Sequence, residues 1–363
     1  MRVAAEIVLT DRAAQQQTQA VHPDGERSRH TAKAHPRQPP LNCQTECNPT
    51  LARVAGQAWH LYSRAMSSIL VLLNPHAGGG RALRFEPDIR TRIRTDYPGV
   101  RLVVTESIQA AHALIGDTRP DARIILVGGD GTVNRMLPAV LGSQRELAIV
   151  PLGSGNDIAR ALRLHTLTWQ QALAHAMTAP VLRMDVGQVE FDERAVPFLA
   201  CCTSGFDSAV ALRALNGPRW LRGMPRYLLA TLRELAALRL WNLTVHSDGK
   251  PLRAGIALFA SALSTPTFGS GIPVLPQALI DDGLLNLIVA GRFTRASTLI
   301  MLPRLLMGRH LPDPRIHTST FKEMQIDAEP AVPLAVDGEY IGETTHLMVR
   351  VLPAALRVVA RTV

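Results

Sequence analysis

Cysteine is scarce, at 4 in 363 residues, which excludes a secreted disulfide framework. Cys201 and Cys202 are adjacent in an apolar run and read as buried thiols of a reducing compartment. Cys43 and Cys47 have no matching second pair, so they do not complete the four-ligand set of a structural zinc site. Aromatic residues make up only 4% of the chain, and no nucleic-acid motif accompanies them, so a base-stacking nucleic-acid binder is excluded. No run of about 18 uncharged apolar residues occurs, which argues against a membrane-spanning helix. A Gly-Lys-Ser/Thr phosphate loop is missing, as is any internal repeat. What is present is 47% hydrophobic residues, enough for one or two buried cores, and a formal net charge of +9. That surplus predicts a polyanionic partner: an anionic membrane surface or a phosphate-rich ligand.

Residues 1–65 differ from the rest. Asp11 to Pro40 is rich in Gln, Arg, His and Pro without apolar periodicity, and reads as a poorly structured extension. Met66 directly precedes the first strong strand and reads as the natural start. From Ile69, apolar strands at 69–73, 100–105, 124–127 and 147–150 alternate with helical stretches. Those stretches are one carrying Leu83, Ile89 and Ile93, then 110–115, 133–141 and 157–164. Continuous apolar strands between helices predict a parallel sheet covered on both faces, an α/β domain over 66–185.

Beyond it, strands are predicted at 186–190, 197–203, 242–247, 255–261, 284–289, 323–326, 334–336 and 347–351, with turn signals between them. Residues 186–353 therefore read as a mostly antiparallel β-rich domain. One or two helices interrupt it, the clearest over 226–240. There Leu228, Leu229, Leu232, Leu235 and Ala236 have helical spacing, and Arg219, Arg222, Arg226 and Arg233 form a basic side. A core-packed helix is the plain reading; contact with anionic lipid headgroups is the sharper one.

Three glycine-rich turns carry the chemistry. Asn74-Pro75-His76-Ala77-Gly78-Gly79-Gly80 ends the first strand, Gly128-Gly129-Asp130-Gly131-Thr132-Val133-Asn134 ends the third, and Pro151-Leu152-Gly153-Ser154-Gly155-Asn156-Asp157 ends the fourth. Without Cβ atoms, backbone N–H groups can turn toward a phosphate, and ligands of open parallel sheets collect at this end. Asp130 is assigned a phosphate or metal-phosphate role, with a helix N-cap as the alternative. The third turn lacks the last glycine of a dinucleotide fingerprint, which argues against a classical Rossmann oxidoreductase.

Together with Asp185-Val186-Gly187, Gly205-Phe206-Asp207, Asp281-Asp282-Gly283-Leu284-Leu285 and Asp337-Gly338-Glu339, these turns resemble the diacylglycerol kinase catalytic-domain family, in particular its soluble bacterial lipid kinases. The resemblance covers about residues 67–363 and extends to sphingosine and ceramide kinases. It implies an α/β nucleotide-binding domain followed by a β-sandwich, with residues 354–363 returning to the first domain. It implies ATP contacts at Asn74, Thr105, Gly128, Gly129, Asp130, Gly131, Thr132, Val133, Asn134 and Ser154. It further implies Glu339 as the base that takes the acceptor proton, with Asp337 orienting it or binding catalytic magnesium. A structural Mg2+ would use Asp282 and the carbonyls of Leu279 and Leu284, with Asp157 and Asp185 in a magnesium and hydrogen-bond network. A plain Asp-Gly hairpin turn is the alternative at 337–339.

Three positions depart from the family pattern. Arg135 stands where an acidic residue is common, Ala77 where Ser is usual, and Phe268 to Pro276 is atypical. The resulting expectation is a cytoplasmic, ATP- and Mg2+-dependent lipid kinase that meets its substrate at the inner membrane surface. Diacylglycerol is the first acceptor class, then phosphatidylglycerol or a sphingoid base. A homodimer is allowed for. The rivals are NAD kinase, which shares the Gly-Gly-Asp-Gly-Thr turn, and a non-catalytic lipid- or nucleotide-binding relative.

Overall fold

The computed structural model describes residues 68–218, 221 and 224–361. The extension 1–65, with Cys43 and Cys47, and Met66, Arg219 and Arg222 lie outside the described residues. The first half alternates β1 (Ile69–Leu73), α1 (Arg81–Asp96), β2 (Arg101–Val104), α2 (Ile108–Gly116), β3 (Arg123–Gly128), α3 (Asp130–Val140), β4 (Glu146–Pro151), α4 (Asp157–Ala161) and α5 (Trp169–Thr178). Strands β2, β1, β3 and β4 pair in parallel in that order.

Successive residues of a strand face opposite sides of the sheet, and each side here has its own core. Leu70, Leu72, Ile124, Leu126, Leu147 and Ile149 pack beneath α2 and α3. Ile69, Val71, Leu73, Ile125, Val127, Ala148 and Val150 pack beneath α1 and α5. Both faces are dry, which is why these strands read as unbroken apolar runs. In α1, Ala82, Ile89 and Ile93 are buried, whereas Leu83 points outward.

The second half contains β5 (Val181–Phe191), β6 (Arg194–Phe198), β7 (Cys201–Gly205), α6 (Phe206–Leu215), α7 (Met224–Ala236), β8 (Trp241–Ser247), β9 (Lys250–Ala257), β10 (Phe259–Leu263), β11 (Leu285–Ala290), α8 (Arg295–Leu306), β12 (Ile316–Phe321), β13 (Glu323–Val336) and β14 (Glu339–Val359). Its pairings are antiparallel and enclose a core that includes Phe198, Trp241, Leu287, Phe321 and Ile326.

The sequence reading needs several corrections here. Among the described residues three helices, not one or two, interrupt this half, and the helix expected over 226–240 ends at Ala236. The expected strand 197–203 breaks into β6 and β7, and 255–261 breaks into β9 and β10. The two short strands expected at 323–326 and 334–336 are one long β13.

The two halves share one hydrogen-bonded sheet because β14 belongs to both. Its first part pairs with β13 and β5, and its last residues pair with β5 and, in parallel, with β4 through Arg357 and Val358. The half-buried Glu146 carboxylate, bound by Arg123 and Arg357, fastens this junction.

Candidate active site

The three glycine turns meet at the carboxyl ends of β1, β3 and β4. A Cβ on Gly153 would lie 2.3 Å from the Cα of Gly129, and one on Gly78 would lie 2.3 Å from the carbonyl oxygen of Leu152. The turns thus pack backbone against backbone, a contact that only glycine permits. Gly79 and Gly80, both in the left-handed region, have open space where a side chain would be. The amide of Asn74 donates to the Thr132 hydroxyl at 2.8 Å, joining the first turn to the second. Thr105 closes the edge: its hydroxyl donates to the Leu73 carbonyl at 3.1 Å. Ser154 is exposed in the third turn. The N–H groups of Asp130 and Gly131, in the first turn of α3, have no intrahelical acceptor. The cradle therefore offers backbone donors, small-residue clearance and the positive end of a helix, a set that fits a polyphosphate.

The Asp130 side chain takes the alternative role, a helix cap, at α4. Its two carboxylate oxygens accept the backbone N–H groups of Asp157 and Ile158, each at 3.0 Å, and so cap α4. Desolvation raises its pKa despite these donors. The backbone N–H groups of the second turn are the donors left to meet a phosphate.

Of the two roles expected of Asp337, orienting Glu339 or binding magnesium, its contacts leave room for the first alone. Oδ1 accepts from Ala200 N at 2.8 Å and Cys201 N at 2.9 Å, and Oδ2 accepts from Leu199 N at 3.0 Å and the Asn134 amide at 2.8 Å. Four donors occupy the carboxylate, which leaves no lone pair for magnesium. Burial raises its pKa. This carboxylate is also why the expected strand 197–203 breaks, since it gathers the backbone of the bend between β6 and β7.

Glu339, by contrast, is accessible. A Cβ on Gly131 would come 3.8 Å from its Oε1, which places the carboxylate over the first turn of α3. That oxygen also accepts from the Arg135 guanidinium at 2.8 Å. Asp130 and Glu339 thus stand at one end of α3, with Glu339 facing solvent and Asp130 turned inward.

Asp157 and Asp185 hold loops of the second half. Asp157 accepts from Thr267 Oγ1 at 3.1 Å, Ser270 N at 2.8 Å and Gly271 N at 2.7 Å. Asp185 accepts from Gly283 N at 2.6 Å and Ala354 N at 2.7 Å. Their observed contacts are the hydrogen-bond part of the expected network. At the expected structural metal position, Asp282 Oδ1 accepts Leu284 N at 3.1 Å. Leu279 is exposed beside it. The remaining Asp282 oxygen and two carbonyls are hard donors, suited to a cation that keeps most of its water. Among the described residues no group of three or more His, Cys, Asp or Glu side chains could hold a metal ion.

The sequence reading missed Arg81, Asn156 and Tyr227. Arg81 Nη2 donates to Gly153 O at 3.0 Å, bridging the first and third turns; a basic residue directly after three glycines was the available signal. Asn156, at φ 60°, donates to Gly153 O at 3.0 Å, while its buried Oδ1 has no partner. Tyr227 of α7 donates its hydroxyl to Gly338 O at 3.4 Å; desolvation and the Glu339 charge raise its pKa.

Of two hollows in the second half, one adjoins this turn. That one, of about 320 Å³, is lined by Arg135, Ala211, Ala214, Leu215, Arg226, Tyr227, Glu339 and Tyr340. The other, of about 80 Å³, is apolar and lies between β10, β11, α6 and α8, with Phe259, Phe293, Met301 and Leu305 in its wall. Asp207 and His310 also line it. Desolvation pushes the Asp207 carboxyl up to about 7 and the His310 imidazole down. Beside the hollows, Leu215, Leu228, Leu232, Leu299, Ile300, Leu306 and Met307 are exposed. The apolar positions 228 and 232 of α7 therefore do not face a core, as the plain reading of that helix required. No described helix is long and apolar enough to cross a membrane.

Residues 68–189 match the family model of the diacylglycerol kinase catalytic domain, and residues 200–360 match that of the YegS C-terminal NAD kinase beta sandwich-like domain. The class defined is a kinase, with an α/β catalytic domain followed by a β-sandwich-like one. A diacylglycerol kinase of Mycobacterium tuberculosis (strain ATCC 25618 / H37Rv) is 28% identical over 304 residues, covering 83% of this chain and 97% of that one. A "Probable lipid kinase YegS-like" of Chromohalobacter salexigens is 31% identical over 232 residues, covering 60% and 70%. The crystal structure of a diacylglycerol kinase from Bacillus anthracis str. Sterne shares the fold: TM-score 0.60, 20% identity, 81% and 96% covered. The chain belongs to the diacylglycerol kinase catalytic-domain family.

Proposed function

We propose that the protein transfers the terminal phosphoryl group of ATP to the hydroxyl of a membrane lipid, with diacylglycerol the first acceptor class. The observation that carries this reading is the position of Glu339, an accessible carboxylate over the first turn of α3 and beside the glycine cradle. In-line transfer needs the phosphates held, their charge offset and the acceptor proton removed. Backbone donors of the glycine turns hold the polyphosphate, and Arg81 lies between two of those turns. The acceptor hydroxyl enters the hollow beside Tyr227 and gives its proton to Glu339. Its oxygen bonds to phosphorus as the bridging oxygen departs with ADP. Asp337 and Tyr227 fix the turn that carries Glu339.

Magnesium on the nucleotide supplies charge neutralisation when bound. Asp282, with the carbonyls of Leu279 and Leu284, would hold a structural ion apart from the transfer.

A lipid acceptor is supported by the apolar hollow and the exposed leucines of α6, α7 and α8. Arg233, Arg295, Arg304 and Arg309 are exposed on the same helices or just beyond them. Apolar side chains among basic ones suit an anionic membrane surface. This reading places the protein in the cytoplasm, at the inner membrane face.

The test is transfer of radiolabelled phosphate from ATP to a lipid panel, with wild type and Glu339→Gln. Labelling of a glycerolipid by wild type and a loss of about 10²-fold or more in the variant are expected. Labelling of NAD instead, or an undiminished variant, overturns the reading.

A further inference from the structure

We propose that Arg135 is a phosphate-binding residue of the transfer site, held in reserve by its ion pair with Glu339 until a phosphate oxygen replaces the carboxylate. The inference rests on Glu339 acting at the acceptor hydroxyl, as proposed above. Arg135 Nη2 lies 2.8 Å from Glu339 Oε1, with the side chains 50% and 46% exposed. A half-exposed pair of this kind is weak and exchanges readily.

The helix directs the guanidinium. Side chains on a helix lean toward its N-terminus, so Arg135 reaches back over the residue one turn earlier. That residue is Gly131, and a Cβ there would meet nothing within 4 Å except Glu339 Oε1 at 3.8 Å. The Glu339 carboxylate is thus the group that the guanidinium meets beside the first turn of α3. A cation near a helix N-terminus is disfavoured unless an anion accompanies it. In the structure described, that anion is Glu339. A phosphate at the first turn would serve better, because it offers several oxygens to a planar fork of donors.

The neighbouring cation is already partly engaged. Arg226 already donates to Leu221 O at 2.8 Å and Pro218 O at 3.0 Å. The Arg135 guanidinium has Glu339 as its one hydrogen-bond partner among the described residues. Exchange would fill the guanidinium with phosphate oxygens and free Oε1 of Glu339 for the hydroxyl proton. The phosphate has two sources, the nucleotide or a phosphodiester headgroup on the acceptor lipid.

The experiment uses the full chain as wild type, Arg135→Gln and Arg135→Lys. It measures affinity for a non-hydrolysable ATP analogue by calorimetry. It also measures initial rates and vesicle binding with phosphatidylcholine vesicles carrying either diacylglycerol or phosphatidylglycerol. Loss of one charged contact corresponds to about tenfold or more. If the source is the nucleotide, Arg135→Gln loses that factor in analogue affinity whichever lipid is present. If it is the headgroup, the loss is confined to phosphatidylglycerol. Arg135→Lys recovers part of either loss. Unchanged analogue affinity and lipid preference, or faster transfer to both lipids, overturns the proposal. If wild type labels neither lipid, the lipid-kinase reading fails, and analogue affinity and vesicle binding still decide the case of Arg135.

Discussion

The Asn134 amide donates to Oδ2 of Asp337 at 2.8 Å, across 203 positions of sequence. One hydrogen bond thereby ties the helix behind the second glycine turn to the turn that presents Glu339. Three backbone N–H groups complete the shell of the same carboxylate. Two acidic residues, two positions apart, are put to different uses: Asp337 organises the junction and Glu339 is left facing the cleft.

Asp337→Ala removes an acceptor from four donors at once. We expect a loss of about 3–5 kcal/mol in stability, since a partner taken from a buried charged network leaves its donors unmet. Glu339→Gln, at an exposed position, changes stability by no more than about 0.5 kcal/mol. Urea midpoints of the two variants check this; equal stability of both would mean that Asp337 does not organise the bend.

Gly153→Ala drives a methyl group into the Gly129 backbone, 2.3 Å away. Overpacking of this kind costs about 1–3 kcal/mol, and separating the turns weakens ATP binding with it. Gly79→Ala is the control. Its φ of 69° is strained for alanine, at about 1–2 kcal/mol, but no atom lies within 4 Å, so the turns still meet. Thermal unfolding with and without ATP separates the two cases.

The Asp207 carboxyl is raised from 3.8 to about 7, chiefly by desolvation. A carboxyl that holds its proton more tightly when folded makes the native state lose stability as pH rises. The unfolded chain begins to release the proton near 3.8, the folded one only near 7, so the loss accumulates between those values. Its ceiling is about 4 kcal/mol. Asp207→Asn should flatten the stability profile between pH 4 and 7 and be the more stable protein at pH 8 (about one unit above the folded value). A parallel pair of denaturation profiles would refute the shift.

Asp185 and Asp282 answer differently to replacement. Asp185 holds Gly283 and Ala354 with its two oxygens, so Asp185→Asn should cost about 1.5–3 kcal/mol whether or not magnesium is present. Asp282→Asn should be close to neutral without the ion. If Asp282 binds magnesium, raising its concentration lifts the melting temperature of wild type and not of Asp282→Asn. Identical magnesium responses would remove Asp282 from the metal site.

Much of the first half was legible because burial on both faces leaves β1 wholly apolar and β3 and β4 apolar beyond their first residues, Arg123 and Glu146. Helices α6 and α8 were harder. In Phe206–Leu215 most residues are buried, so no polar face marks the helical period, and α8 contains Pro303. The glycine turns were visible as turns, and Arg135 was visible as an anomaly. The partners of Asp130 and Asp337 were not visible. A carboxylate between glycines looks the same whether it meets a cation or backbone N–H groups, and those donors lie 27 positions away for Asp130 and about 137 for Asp337. Likewise the partner of Arg135 stands 204 positions downstream.

Strand β14 has a consequence for biosynthesis. Arg357 and Val358 complete the edge of β4, yet of all the described strands theirs emerges last from the ribosome. Until then the open margin of β4 has no neighbour on that side, and the glycine turns hang from an unfinished sheet. A nascent chain must therefore keep that margin shielded through most of its translation.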